Sequence, residues 1–234
     1  MSWLEDALTR CVLTSEVEEY LIGRGASDEI IVKEGCVTWS LLSDPSPDER
    51  FRRRYGPRGE RLEGFLICPV WSPKGSLIGF EARDTRAKFI SDWREPAASW
   101  NPFFLGTRRA VEKLWNGGDA WIVEGFFDLC PLEWVVPKKD AVLATVTAKL
   151  ADRHVEFLRR FCQGWVHVVY DRDEGGRRGA VGGIDKTGKK IWGALDVLRR
   201  VGLKCRDVPY TGGKDPGEIW DKGGVTALKD AFPI

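Results

Sequence analysis

The sequence predicts an α/β fold: a parallel sheet flanked by helices, preceded by a mixed α+β part with a basic segment. Three observations predict it. After Asn116-Gly117-Gly118, short apolar runs alternate with helix-like stretches, the rhythm of βαβ units whose sheet is covered on both faces. Before that point, LICPVWSPKGSLIGFEAR sets two β-type runs around Pro73-Lys74-Gly75, a hairpin signature. Later runs also end abruptly in acid, as in WVHVVYDRDEGG, where apolar residues lead into Asp171-Arg172-Asp173-Glu174.

The elements follow in order. In TSEVEEYLIGRG, Ser15 and Glu18 have capping-box spacing, Val17, Tyr20 and Leu21 share an apolar face, and Gly25 can end the helix. Ser27 starts a second short helix through Ile30 and Ile31, and residues 36–42 read as a strand. SDPSPDERFRRRYGPRGER is rich in Pro, Gly and charge and reads as a long loop. The hairpin comes next, and Lys88-Phe89-Ile90 adds a further strand. Beyond it, AWIVEG is a buried strand, 127–134 a helix, AVLAT a strand and 152–162 a helix. WVHVVYD is then a strand, 189–201 a helix and 204–209 a strand, and a last helix follows Pro216. The boundary near Asn116 divides the chain into residues 1–116 and 117–234.

Composition bounds the function. An apolar fraction of 43% in 234 residues supports a substantial core. A net charge of +1 argues against a generic polyanion binder, yet RFRRRYGPRGER carries six arginines against one glutamate. Such a run is either a solvated loop or a phosphate-contacting surface, because a local cluster makes a local field. No two of the six cysteines have C-x-x-C spacing, which argues against a zinc ribbon or redox motif and for buried free thiols. With no signal peptide and no apolar run near 18 residues, the expectation is a soluble protein of a reducing cytoplasm, without membrane contact.

Ligands of open parallel sheets bind beyond the carboxyl ends of the strands. Glu124 follows AWIV, with Asp128 one turn later; Asp171 and Asp173 follow WVHVVY; Asp215 lies in GGKDPGE. Carboxylates brought together raise one another's pKa, so the pattern calls for a cation, and hard oxygens suit Mg²⁺ or Mn²⁺. A lone D-x-D is also a common solvated turn. An EF-hand fails because Gly175 and Gly182 occupy its fifth and twelfth positions. A phosphatase with an aspartyl nucleophile would carry that residue on an early strand.

Strand-Glu-Gly, strand-D-x-D and a G-K-D-P loop together resemble the TOPRIM domain of bacterial-type and phage DNA primases. EEYLIGRGASDEII resembles that family's opening helix, SPKGSLIGFEAR its hairpin and KFIS its "KYLNS" segment, so the likeness covers nearly the whole chain. The resemblance implies a primase catalytic core that makes short RNA primers on single-stranded DNA by metal-dependent nucleotidyl transfer. Glu124, Asp171 and Asp173 are implied as catalytic; with Asp128 and Asp215 they are implied to hold two or more Mg²⁺ or Mn²⁺ ions. Arg83, Lys88 and Lys214, and more loosely Arg52, Arg53 and Arg54, are implied to contact nucleotide or template phosphates. Exposed members of Trp71, Trp93 and Trp100 can stack on bases, with core packing as the alternative. Implied partners are ribonucleoside triphosphates, a replicative helicase and a separate zinc-bearing template-recognition protein.

The chain also departs from the family pattern. Ser91 stands for the asparagine after "KYL" and Phe89 for the tyrosine. NPFFLGTRR lacks the usual lysine, with Arg108 and Arg109 as its substitutes. LATVTAKL shows no clear glycine-threonine turn. GGRRGAVGGIDKTGKK is longer than usual, which reads as an insertion that displaces a helix start to GKK. Two other functions fit the same carboxylates: a TOPRIM-type nuclease, and a non-catalytic replisome module that binds nucleic acid.

Overall fold

The computed structural model describes residues 2–42, 44–87, 90–96, 101–147, 149–184 and 186–232. It opens with a helix the sequence reading passed over, α1 (Trp3–Thr9), capped by the Ser2 hydroxyl. Helices α2 (Ser15–Gly23) and α3 (Asp28–Glu34) follow. The N-cap of α2 is Thr14 rather than Ser15, and its hydroxyl lies 3.1 Å from that of Thr38. Ser27 caps α3 as expected, accepting from the Ile30 amide.

The antiparallel sheet has the order β1 (Val37–Thr38), β2 (Leu66–Trp71), β3 (Leu77–Arg83), β4 (Ile90–Arg94). Only two residues of the expected 36–42 strand pair, and only Ile90 of the expected Lys88-Phe89-Ile90 strand falls within the described residues. The expected hairpin forms around Gly75, with Ser72 N donating to Ser76 O at 2.8 Å. The expected loop 43–61 instead contains helix α4 (Glu49–Tyr55). Asp48 caps it, and Phe51 and Tyr55 bury against Trp39, Phe80 and Trp93, so two aromatic anchors override the Pro/Gly/charge signal of the flanks.

Helix α5 (Thr107–Trp115) leads into the parallel sheet of β5 (Ala120–Val123), β6 (Ala141–Ala144), β7 (Val166–Val168) and β10 (Cys205–Asp207), in the order β10-β7-β5-β6. Helices α6 (Phe126–Leu132), α7 (Asp152–Phe161), α8 (Glu174–Val181), α9 (Ala194–Arg200) and α10 (Pro216–Ala231) complete it, with a small hairpin of β8 (Gly183–Ile184) and β9 (Lys190–Ile191) between α8 and α9. The helix expected over 189–201 thus begins only at Ala194. α8 starts directly after Asp173, so no displaced helix start lies at GKK.

Alternation along β5 sends Ala120 and Ile122 into the core beneath α5, α7 and α9, and Trp121 and Val123 into a second core. That second core lies between the two sheets and takes Leu66, Cys68 and Val70 from β2. A third, aromatic core closes the outer face of the antiparallel sheet. All six cysteines are free and buried. Among the described residues no helix is long and apolar enough to cross a membrane.

Candidate active site

The sheet order places a switch point between β5 and β7: β5 connects through α6 to β6 on one side, and β7 through α8 and α9 to β10 on the other. Divergent connections open a crevice beyond the strand ends. Glu124 leaves β5 and Asp171 leaves the β7 run at this crevice, and the Asp171 amide donates to Glu124 Oε1 at 3.1 Å. Gly176, in the first turn of α8, makes room for both. A Cβ there would lie 2.2 Å from Asp171 O and 2.7 Å from Glu124 Oε1. Asp173 is the N-cap of α8 and accepts from Gly176 N at 2.8 Å.

Asp128 and Asp215 organise the neighbouring edge. Asp128 accepts from the amides of Gly125 (3.1 Å) and Gly217 (3.3 Å), tying the start of α6 to the start of α10. Asp215 caps α10 through Glu218 N at 2.6 Å. Lys214 precedes it. Its backbone oxygen accepts from Arg172 N at 2.7 Å, and its ammonium reaches Asp171 Oδ2 at 2.9 Å and Asp173 Oδ2 at 3.1 Å.

The charges are strained. Burial, and then the Asp171 charge, pushes the Glu124 carboxyl up to about 7. Burial with the nearby Asp215 and Asp171 pushes Asp128 up to about 8. Burial also raises Asp171, although Lys214 opposes it, whereas the Gly176 amide and Lys214 hold Asp173 down. The Lys214 ammonium is itself stabilised by the two aspartates. Among the described residues no three His, Cys, Asp or Glu side chains form a ready metal-ligand group. Glu124, Asp171 and Asp173 nonetheless present hard carboxylate oxygens whose mutual repulsion a divalent cation would relieve, so the donor set fits such an ion.

The opposite wall is cationic. A cleft of about 560 Å³ is lined by Asp128, Asp171, Lys214 and Asp215 on one side and by Arg24, Arg83 and Arg86 on the other. Arg24 and Arg83 lie over the Phe127 ring, at 5.4 and 4.2 Å from its centroid. The Nε of each is buried without a hydrogen-bond partner. The end of α2 is brought here by indole hydrogen bonds from Trp220 to Gly23 O (2.9 Å) and from Trp134 to Gly25 O (2.8 Å), and by an Arg24–Asp221 ion pair.

The chain is similar to DNA primases. No family model matches the chain. The DNA primase of Deinococcus radiodurans is 22% identical over 92% of this chain and 39% of the relative. That of Clostridium acetobutylicum is 28% identical over 74% of this chain and 26% of the relative. Among solved structures, the RNA polymerase domain of Mycobacterium tuberculosis primase DnaG superposes with a TM-score of 0.67 at 22% identity, covering 97% of this chain and 78% of that one. A DnaG primase catalytic domain bound to single-stranded DNA superposes with a TM-score of 0.65 at 18% identity, covering 98% and 77%. The fold is that of a bacterial-type DNA primase catalytic core. The chain spans between 26% and 39% of the length of these two curated relatives.

Against the primase-core fold, the sequence-derived site residues divide. Glu124, Asp128, Asp171, Asp173, Lys214 and Asp215 gather at the switch point, and Arg83 faces them across the cleft. Lys88 lies outside the described residues, as do Phe89 and Trp100. Arg52, Arg53 and Arg54 sit on α4 and are not part of the cleft lining. Arg52 donates to Ser46 O and Pro47 O, Arg53 pairs with Glu49, and Arg54 donates to Ser91 Oγ at 2.7 Å. Trp93 is core, and Trp71 donates to Glu34 O while Arg108 covers its ring. Arg109 is no substitute for a cleft lysine: it is buried between Glu34, at 2.5 Å, and Glu133. Arg24 and Arg86 also line the cleft and are not among the residues the sequence singles out. The "RG" of YLIGRG, part of the opening-helix resemblance and with Gly25 as the helix end, is the sequence signal that holds Arg24.

Proposed function

We propose that this chain is the catalytic core of a DNA primase, joining ribonucleoside triphosphates into short RNA primers on a single-stranded DNA template. One observation carries the reading: a carboxylate wall of Asp128, Asp171 and Asp215 faces Arg24 and Arg83, whose buried Nε donors lack internal partners. Planar guanidiniums of this kind grip phosphates bidentately. In the reaction a 3′-oxygen bonds to an α-phosphorus, the bond from that phosphorus to the bridging oxygen breaks, and pyrophosphate leaves. Glu124, Asp171 and Asp173 would hold Mg²⁺ or Mn²⁺, which supplies neutralisation of the phosphates and acidification of the hydroxyl. Glu124, with one oxygen accepting from the Asp171 amide, stands beside Asp171 where the ion would be held. Arg24 and Arg83 orient the triphosphate, both resting against the Phe127 ring.

The proposed division into residues 1–116 and 117–234 puts the arginine wall on the first part and the carboxylate wall on the second. A replicative helicase and a separate zinc-bearing template reader are the proposed partners. The deciding experiment supplies labelled ribonucleotides and a single-stranded template with Mg²⁺ or Mn²⁺. Wild type extends primers, and Asp171→Asn loses about 100-fold or more of that activity. No product with either ion, with and without helicase, overturns the reading. Shortening of labelled DNA without nucleotides would instead mark a nuclease, and full function in Asp171→Asn a non-catalytic module.

A further inference from the structure

The hairpin β8–β9 is built, exposed and used by nothing described so far. Its base is closed by glycines. Gly182 has φ +81°, and a Cβ on it would lie 2.4 Å from Ile191 O; one on Gly193 would lie 2.2 Å from Gly182 N. No side chain fits in that approach, so the two ends of the hairpin meet backbone to backbone. Arg178 of α8 braces it, donating to Ile184 O at 3.1 Å. The hairpin therefore leaves the fold at a defined point.

Its surface has a consistent chemistry. GGIDKTGKKIWG contains Lys186, Lys189 and Lys190 against a single acid. Apolar side chains stand out between them: Ile184 is 65% exposed and Trp192 47%. Such groups contribute little to the core. The Trp192 ring carries the Lys190 ammonium at 4.1 Å and the Arg200 guanidinium at 4.6 Å from its centroid. Lys190 also pairs with Asp196 on α9 at 3.3 Å. Cations interleaved with an exposed aromatic complement a ligand that has both phosphates and apolar faces, which a nucleic-acid strand has and an acidic protein surface lacks. The location suits the same ligand. α8 begins beside Asp173 at the carboxylate rim, and its length of about 12 Å separates that rim from the hairpin base.

We propose that the β8–β9 hairpin is a nucleic-acid arm. It would hold single-stranded nucleic acid that extends from the cleft, with Lys186 and Lys190 on phosphates and Trp192 against a base. The proposal rests on the primase reading for the strand in the cleft.

The test measures anisotropy of a labelled 20-nucleotide oligo(dT) with the full chain across a salt series. Two variants are compared with wild type: Lys186→Gln with Lys190→Gln, and Trp192→Ala. The lysine variant binds several-fold more weakly, and its log–log salt slope becomes shallower by about 1.4, at roughly 0.7 per lost phosphate contact on single strands. Trp192→Ala weakens binding with the slope unchanged. Unfolding midpoints equal to wild type confirm that both variants are folded, as expected for exposed positions. If wild type binds and both variants bind identically with the same slope, the arm is overturned and the primase reading stands. If wild type itself binds no oligonucleotide at any salt, both fall.

Discussion

Lys214 Nζ lies 2.9 Å from Asp171 Oδ2, so the chain provides its own cation at the carboxylate rim. The same ammonium touches Asp173, and the loop that carries it is fixed by Arg172 N and by the Tyr210 hydroxyl, 2.7 Å from Lys214 O. On the proposed function, a positive charge in that place would compete with a divalent ion for the two aspartates and would turn to an incoming phosphate when the ion displaces it. Lys214→Ala is therefore expected to lower the Mn²⁺ concentration needed for half-maximal primer synthesis while raising the nucleotide KM several-fold. Metal and nucleotide titrations of the variant check both. A higher metal requirement would show that Lys214 assists the ion rather than standing in for it.

Arg83 should act through its shape as well as its charge. It lines the cleft and lies over Phe127 at 4.2 Å, and its buried Nε has no hydrogen-bond partner. Arg83→Ala is expected to raise the nucleotide KM by about 10-fold or more, roughly 1.4 kcal/mol of binding. Arg83→Lys should recover only part of it, because an ammonium cannot reproduce the planar fork. Steady-state kinetics of the two variants decide this, and full rescue by lysine would reduce Arg83 to a point charge.

The legible part of this molecule is the part with periodic or punctuated signals. Three of the parallel strands, β5, β6 and the β7 run, read as apolar runs, whereas β10 is the short charged stretch Cys205–Asp207; the acids after β5 and β7 need only the carboxyl-edge rule to be brought together. α4 was not legible, because Phe51 and Tyr55 form its buried face amid arginines and prolines, and their burial is a tertiary fact. The role of Arg109 was equally hidden: its partners Glu34 and Glu133 lie 75 and 24 residues away in sequence. LATVTAKL reads as lacking a glycine turn, and the structure turns there all the same, with Val146 at φ 65°. A β-branched residue in that region carries strain that sequence pattern does not display.

The Glu34–Arg109–Glu133 group gives a stability prediction. Arg109 joins α5 to α3 and to the end of α6, and Glu34 is 1% exposed. Arg109→Leu leaves a buried carboxyl without its cation, which costs about 3–5 kcal/mol in comparable cases. Burial already pushes Glu34 up while Arg109 opposes that, so the variant should recover part of its loss at acid pH, where Glu34 is neutral. Urea unfolding at pH 5 and pH 8 measures the effect. A loss that does not depend on pH would assign it to side-chain packing.

Glu81 makes the last prediction. It sits in the central strand β3, 3% exposed, with Asp92 as its register partner on β4 and the Arg83 guanidinium 4.0 Å away. Burial dominates over Arg83 and pushes its carboxyl up to about 7, above the ordinary 4.5. The folded state therefore keeps a proton that the unfolded chain releases. The stabilisation is complete below pH 4.5 and is lost as pH rises toward 7, at up to about 1.4 kcal/mol per pH unit. Glu81→Gln keeps the neutral form at every pH, so it should unfold like wild type at pH 4.5 and be more stable than wild type at pH 8 by about 2–3 kcal/mol. The quantity to measure is the difference between the two proteins' urea midpoints across that window. A constant difference would mean that Arg83 holds Glu81 ionised throughout, leaving that guanidinium less of its charge for a phosphate in the cleft.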